Sequence, residues 1–198
     1  MDNRQSVKGN RPGLRVGVIA GSTRPVRQAR AVAEWVCADP IPSLDLVLID
    51  LADVGLPLLC EPAPAASGHY DQPATRSWSQ LVAEFDAFVL VTPEYNHSTS
   101  AALKNALDHL YREWQDKPVA FAGYGLDGGT RAVEHLRAIA AELGMPGSAR
   151  RSRLTCEPTT RRAASNPGLF SPRHAGGCST SSPAGRRLCV LPACARLR

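Results

Sequence analysis

Leu14-Arg15-Val16-Gly17-Val18-Ile19-Ala20-Gly21-Ser22-Thr23-Arg24-Pro25 is a short apolar run rich in β-branched residues, followed at once by a glycine, two hydroxyls, an arginine and a proline. An apolar run without polar alternation reads as a strand buried on both faces, which is the habit of parallel sheets. The residues after it read as a tight turn into a helix over Val26 to Cys37, with Pro25 expected at the first helical position. Ala29, Val32, Ala33 and Val36 share one side of that helix.

The same alternation continues along the chain. Leu44 to Leu51 reads as a second strand, and Pro57, Pro62 and Pro64 exclude helix from the loop between Leu56 and Tyr70. Helical spacing returns over Thr75 to Phe85, then a third strand over Ala87 to Thr92 and a helix over Ser100 to Trp114. Pro118 to Tyr124 reads as a fourth strand, followed by a glycine-rich loop and a helix over Thr130 to Leu143 that stops at Gly144. Strands and helices alternating at this spacing predict an α/β fold with a doubly wound parallel sheet in three layers.

The chain has 198 residues, enough for one such domain plus an extension. Three segments are expected: a disordered N-terminus over 1–13, the folded domain over 14–146, and a tail over 147–198. The net charge of +5 divides unevenly, because the tail carries ten arginines against the single acid Glu157. Residues 1–146 are therefore net acidic, offer no general polyanion-binding face, and are expected to have no nucleic-acid partner. No long apolar run suggests a membrane span, nor does the start resemble a signal peptide, so a cytoplasmic location is expected.

Four of the six cysteines lie in the tail and no Cys-x-x-Cys occurs. The nearest approach to ligand spacing is His174 with Cys178, and no metal site is expected. The tail lacks apolar periodicity and contains no Lys, Tyr, Trp, Ile or Asp. It reads as a frame-shifted translation of a GC-rich gene, with a natural basic tail as the alternative. No regular strand is expected beyond about Arg150, so a cut after Met145 should cost little.

In a doubly wound sheet, ligands sit beyond the carboxyl ends of the strands. Gly21-Ser22-Thr23-Arg24-Pro25-Val26-Arg27 places backbone N–H groups and two arginines where an anion is favoured. It lacks the triphosphate and dinucleotide glycine patterns, so a terminal phosphomonoester is the better guest. Thr92-Pro93-Glu94-Tyr95-Asn96-His97-Ser98 could meet the polar edge of a flat ring, or could simply cap the next helix. Gly123-Tyr124-Gly125-Leu126-Asp127-Gly128-Gly129 suits close backbone approach to such a ring, with a tight turn as the plain alternative. His109 and His135 read as surface or interface residues.

Together, Gly21-Ser22-Thr23-Arg24, Thr92 to Ser98 with Ala102-Leu103-Lys104-Asn105-Ala106-Leu107-Asp108, and Gly128-Gly129-Thr130-Arg131-Ala132 resemble the NADPH-dependent FMN reductase family over about Leu14 to Met145. That family includes quinone, azo-dye and chromate reductases. The resemblance implies a flavodoxin-like sheet of strand order 2-1-3-4, with the usual fifth strand and closing helix missing here. It implies that Ser22, Thr23, Arg24 and Arg27 hold the FMN phosphate. Pro93, Glu94, Tyr95 and Asn96 would line the isoalloxazine and ribityl, and Tyr124, Gly125, Gly128 and Gly129 the other side. Hydride would pass from NADPH or NADH through the flavin to a quinone, azo compound, chromate or free flavin, with no acid or base side chain required. The alternative is a flavin-binding electron carrier, or a remnant without efficient turnover. The resemblance further implies a homodimer or homotetramer through the helix over 100–114.

Overall fold

The computed structural model describes residues 13–38, 41–147, 152–155 and 171–172. The apolar runs form β1 (Leu14–Ala20), β2 (Leu44–Asp50), β3 (Ala87–Pro93) and β4 (Val119–Gly125), paired in parallel in the order β2-β1-β3-β4. The helices are α1 (Ala29–Cys37), α2 (Leu51–Val54), α3 (Pro73–Ala83), α4 (Ala101–Asp108) and α5 (Thr130–Glu142). The flavodoxin-like order expected from the sequence is therefore present.

Period-two alternation sorts the strand residues between two cores. Ile19, Ile49, Phe88, Leu90 and Phe121 face one side, under Trp78 and Val82 of α3, Leu103 and Leu107 of α4, and Val133 and Leu136 of α5. There Phe88 meets Trp114 edge-on at 4.9 Å, and Trp114 meets Trp78 at 6.0 Å, both within the favourable range for aromatic pairs. Val16, Val18, Ala20, Val89, Val91, Ala120 and Ala122 face the other side, where α1 packs Ala29, Val32, Ala33 and Val36 on them. Small residues on that face let a helix come close. Large aromatics on the first face fill a deeper layer.

Three expectations need correction. A fifth strand is present: β5 (Ser152–Thr155) pairs in parallel with Ala122 to Gly125 of β4, and β6 (Ser171–Pro172) adds antiparallel to β5. Backbone pairing needs only an unfilled edge, and β4 offers one, so four residues without apolar periodicity are enough to dock. The remaining expectations for the N-terminus and tail, including those for His174 and Cys178, fall on residues outside those described.

The second correction is that α1 starts at Ala29, because Arg27 N–H donates to the Arg24 carbonyl at 3.1 Å and closes a turn around Pro25 and Val26. Proline instead opens α3, where Pro73 occupies the first helical turn.

The third concerns α4, which ends at Asp108 rather than Trp114. Beyond it the chain tightens into three-residue turns such as Trp114 N–H to the Tyr111 carbonyl, and the Trp114 indole N–H caps the Leu107 carbonyl at 3.2 Å. Leu110 and Trp114 stay buried, so the apolar stripe is real although the backbone is not helical throughout. His109 is buried rather than exposed. Its Nε2 donates to the Pro57 carbonyl at 3.1 Å, and its Nδ1 shares a hydrogen bond with Thr75. With Asn105, which exchanges hydrogen bonds with Leu59 N–H and the Pro57 carbonyl, it staples the proline-rich loop to α4.

Trp114→Ala should lower unfolding free energy by about 3–5 kcal/mol, as large aromatic deletions from packed cores do; chemical denaturation measures it. A cut after Met145 removes the strand on β4 and exposes that edge, so light scattering on mild heating should rise above that of the full chain.

Candidate functional site

The carboxyl ends of β1, β3 and β4 carry the three loops singled out by the sequence, and side chains tie them to one another. Ser22, which is buried, shares a 2.9 Å hydrogen bond between its Oγ and the Tyr95 hydroxyl, joining the first loop to the third. The Arg24 guanidinium lies 5.9 Å from the Tyr95 ring centre, at the outer reach of a cation–π contact. Glu94 N–H donates to the Tyr124 carbonyl at 3.1 Å, joining the third loop to β4. Ser100 Oγ donates to the Gly21 carbonyl and accepts from Leu103 N–H, so the cap of α4 is anchored on the first loop.

Each loop is shaped by its own residues. In the third, Tyr95 and Ser98 exchange both backbone hydrogen bonds around Asn96 and His97, whose φ values are +50° and +64°. Two consecutive left-handed residues make a primed turn, a conformation that asparagine tolerates and histidine adopts at some cost. Strain of this kind persists where the surroundings over-determine it.

In the fourth loop, a Cβ on Gly129 (φ +70°) would lie 2.6 Å from the Tyr124 amide nitrogen, so only glycine lets the turn fold back on β4. Gly128 is buried beside it and Gly125 closes the strand. α5 has no side-chain cap of its own. Glu94 supplies one from the third loop, accepting from Arg131 N–H at 3.1 Å and from Arg131 Nε at 2.6 Å.

The structure thus brings Ser22, Thr23, Arg24, Pro93, Tyr95, Asn96, Tyr124, Gly125, Gly128 and Gly129 to one edge of the sheet, but gives two residues different duties from those expected. The Glu94 carboxylate turns onto Arg131, leaving its backbone toward the loop cluster. Arg27 Nη2 donates to Asp50 Oδ2 at 2.7 Å, so its charge is balanced by a carboxylate that the sequence reading passed over. The signal was available: Asp50 ends β2, at the ligand edge of an α/β sheet. Burial alone would raise the Asp50 pKa. The hydrogen bonds from Arg27 and Ala52 and the charges of Arg27 and Arg30 outweigh it and hold the carboxyl below its ordinary value.

The residues present fit a phosphorylated flavin. Among the described residues, the amides of Ser22, Thr23 and Arg24 donate to no backbone carbonyl, and exposed Arg24 has no carboxylate partner. Free N–H groups and an unneutralised guanidinium are what a phosphomonoester requires. The described residues hold no group of three or more His, Cys, Asp and Glu placed to bind a metal ion, and no helix long and apolar enough to cross a membrane.

Comparison with known proteins agrees with this geometry. Residues 14–150 match the family described as NADPH-dependent FMN reductase. The chain is 39% identical over 132 residues to an NAD(P)H-dependent FMN reductase of Schizosaccharomyces pombe, covering 65% of this chain and 66% of that one. It is 34% identical over 149 residues to an NADPH:quinone oxidoreductase of Arabidopsis thaliana, covering 71% and 74%. Its fold is shared with FerB, a flavoenzyme NAD(P)H:(acceptor) oxidoreductase from Paracoccus denitrificans, at a TM-score of 0.54 and 23% identity over 69% of this chain and 75% of that one. The chain therefore belongs to the NADPH-dependent FMN reductase family, whose members are NAD(P)H-dependent oxidoreductases with FMN as their flavin.

Proposed function

We propose that this chain binds FMN across its three tied loops and acts as an NAD(P)H oxidoreductase on small oxidised acceptors of the quinone class. The observation that carries the reading is the joining of a phosphate-type loop, through Ser22 and Tyr95, to a strained turn and a glycine-lined strand end. Bound FMN supplies a two-electron relay from a reduced nicotinamide to the acceptor, with azo compounds, chromate and free flavin as further candidates.

The protein's part is binding and orientation. Ser22, Thr23 and Arg24 hold the phosphate with amides, hydroxyls and one exposed charge, and Arg27 adds a charge held by Asp50. The backbone from Pro93 to Asn96 borders one edge of the ring and ribityl. Tyr124, Gly125, Gly128 and Gly129 border the other, and the glycines' lack of bulk allows a flat ligand to approach. Glu94 holds these two borders together through Arg131, and no side chain needs to gain or lose a proton. The working form in this reading is a cytoplasmic homodimer or homotetramer built on the segment 100–114. An open groove of about 520 Å³ runs between α4 and α5, lined by Lys104, His135 and Ile139 among others.

Steady-state NADPH oxidation by the FMN-loaded protein should accelerate when a benzoquinone is added; FMN binding without quinone-dependent turnover would mark an electron carrier instead. Arg24→Ala should weaken FMN by roughly one to two decades, since a hydrogen bond to a charged group contributes about 1.5–3 kcal/mol. Riboflavin, which has no phosphate, should be little affected, and calorimetric titration compares the two. Tyr111→Glu, at a half-buried residue of this segment, should shift sedimentation toward the monomer if the segment forms the interface.

A further inference from the structure

Asp50 ends β2 with its side chain fully removed from solvent, an expensive place for a carboxylate. Its Oδ1 accepts from Ala52 N–H at 3.0 Å and so caps α2. A cap alone does not account for it, because α2 has only four residues and caps ordinarily stay within reach of water. The other oxygen, Oδ2, faces back across the sheet edge to the first loop, accepting from Arg27 Nη2 at 2.7 Å and from Arg30 Nη1 at 3.4 Å.

The two arginines are not equivalent. Arg30 also meets Glu34 and Asp53, each at 3.1 Å, so its charge is shared among three carboxylates. Arg27 pairs with Asp50 alone among the carboxylates of the described residues, its other terminal nitrogen, Nη1, lies 3.5 Å from the Arg24 carbonyl of the first loop, and its buried Nε has no hydrogen-bond partner among the described residues. One terminal nitrogen of the guanidinium is thus held by Asp50 while the other reaches a carbonyl of the first loop. A planar fork fixed in this way loses little freedom when an anion arrives.

We propose that Asp50 is a positioning residue for phosphate recognition: it clamps Arg27 so that the guanidinium stays along the first loop, ready for the phosphomonoester of the flavin. This rests on the reading of the first loop as the phosphate end of the site. Arg24 then captures the ligand from solvent, and Arg27, already ordered, selects for the phosphate. Asp50 touches neither ligand nor reacting atoms, and its effect passes entirely through Arg27.

The test is calorimetric titration of the purified full chain with FMN and, separately, riboflavin. Wild type must first bind FMN more tightly than riboflavin; equal affinities would refute the first-loop reading itself and leave the Asp50–Arg27 pair without a phosphate to serve. Given that preference, Asp50→Asn should lower FMN affinity by about tenfold and leave riboflavin unchanged, a change in ratio that general loosening of the fold would not produce. Arg27→Lys keeps the charge but loses the planar fork, and should lower the ratio similarly. It serves as the deciding variant if Asp50→Asn does not fold. The Asp50→Asn, Arg27→Lys double variant should fall no further than either single one. An unchanged ratio in a folded variant would overturn the proposal. So would tighter FMN binding by Asp50→Asn, because Asp50 would then be competing with the phosphate.

Discussion

At Gly21 the end of β1 passes so close to β3 that a Cβ would lie 2.6 Å from the Val91 carbonyl oxygen and 2.9 Å from Leu103 Cδ2. Gly21 N–H donates to that same carbonyl at 2.9 Å, and its own carbonyl accepts the Ser100 hydroxyl that caps α4. One residue without a side chain thereby sets the spacing between two strands, a helix start and the loop that follows. Ser22 reaches Tyr95 only because this spacing is tight, and Arg24 lies over the Tyr95 ring for the same reason. Any larger residue at position 21 would have to move β3 or α4, and the loop cluster would open.

Electrostatics at the sheet edge is graded around that anchor. Arg30 is shared among three carboxylates, Arg27 is matched by one, and Arg24 is exposed with none among the described residues. At the far end the arrangement reverses, with a carboxylate as the organiser: Glu94 caps α5 and binds Arg131, whose Nη2 donates to Asp127. Helix starts favour anions, so Glu94 fills at α5 the role that a phosphate would fill at the first loop. The two ends are thus distinguished by which helix start is already satisfied.

Much of this was legible in the sequence, for physical reasons that differ by element. The first four strands stand out because each is a short, largely apolar run, most fully so in Ala87–Pro93, where every position is buried. The three loops stand out because glycine, proline and asparagine there serve backbone geometry, and the left-handed φ of Asn96 bears this out. Side-chain pairings between distant elements left no periodic trace. Arg27 with Asp50 and Glu94 with Arg131 depend on which strand ends lie side by side, as does the burial of His109 under Pro57. Helical spacing overstates the length of α4 because Leu110 and Trp114 keep that spacing while the backbone turns more tightly. β5 leaves no signal in the sequence because a strand docking on an open edge needs backbone groups rather than a pattern of side chains.

The three tryptophans are divided between the faces of the sheet. Trp78 and Trp114 stand in edge contact within the aromatic layer, whereas Trp35 sits on α1, half-buried against the small-residue face. Indole emission shifts to longer wavelength as water reaches the ring, so the buried pair and the half-buried ring begin from different colours. The chain therefore carries separate optical reporters for its two layers, and the order in which they redden during unfolding tells which layer comes apart first.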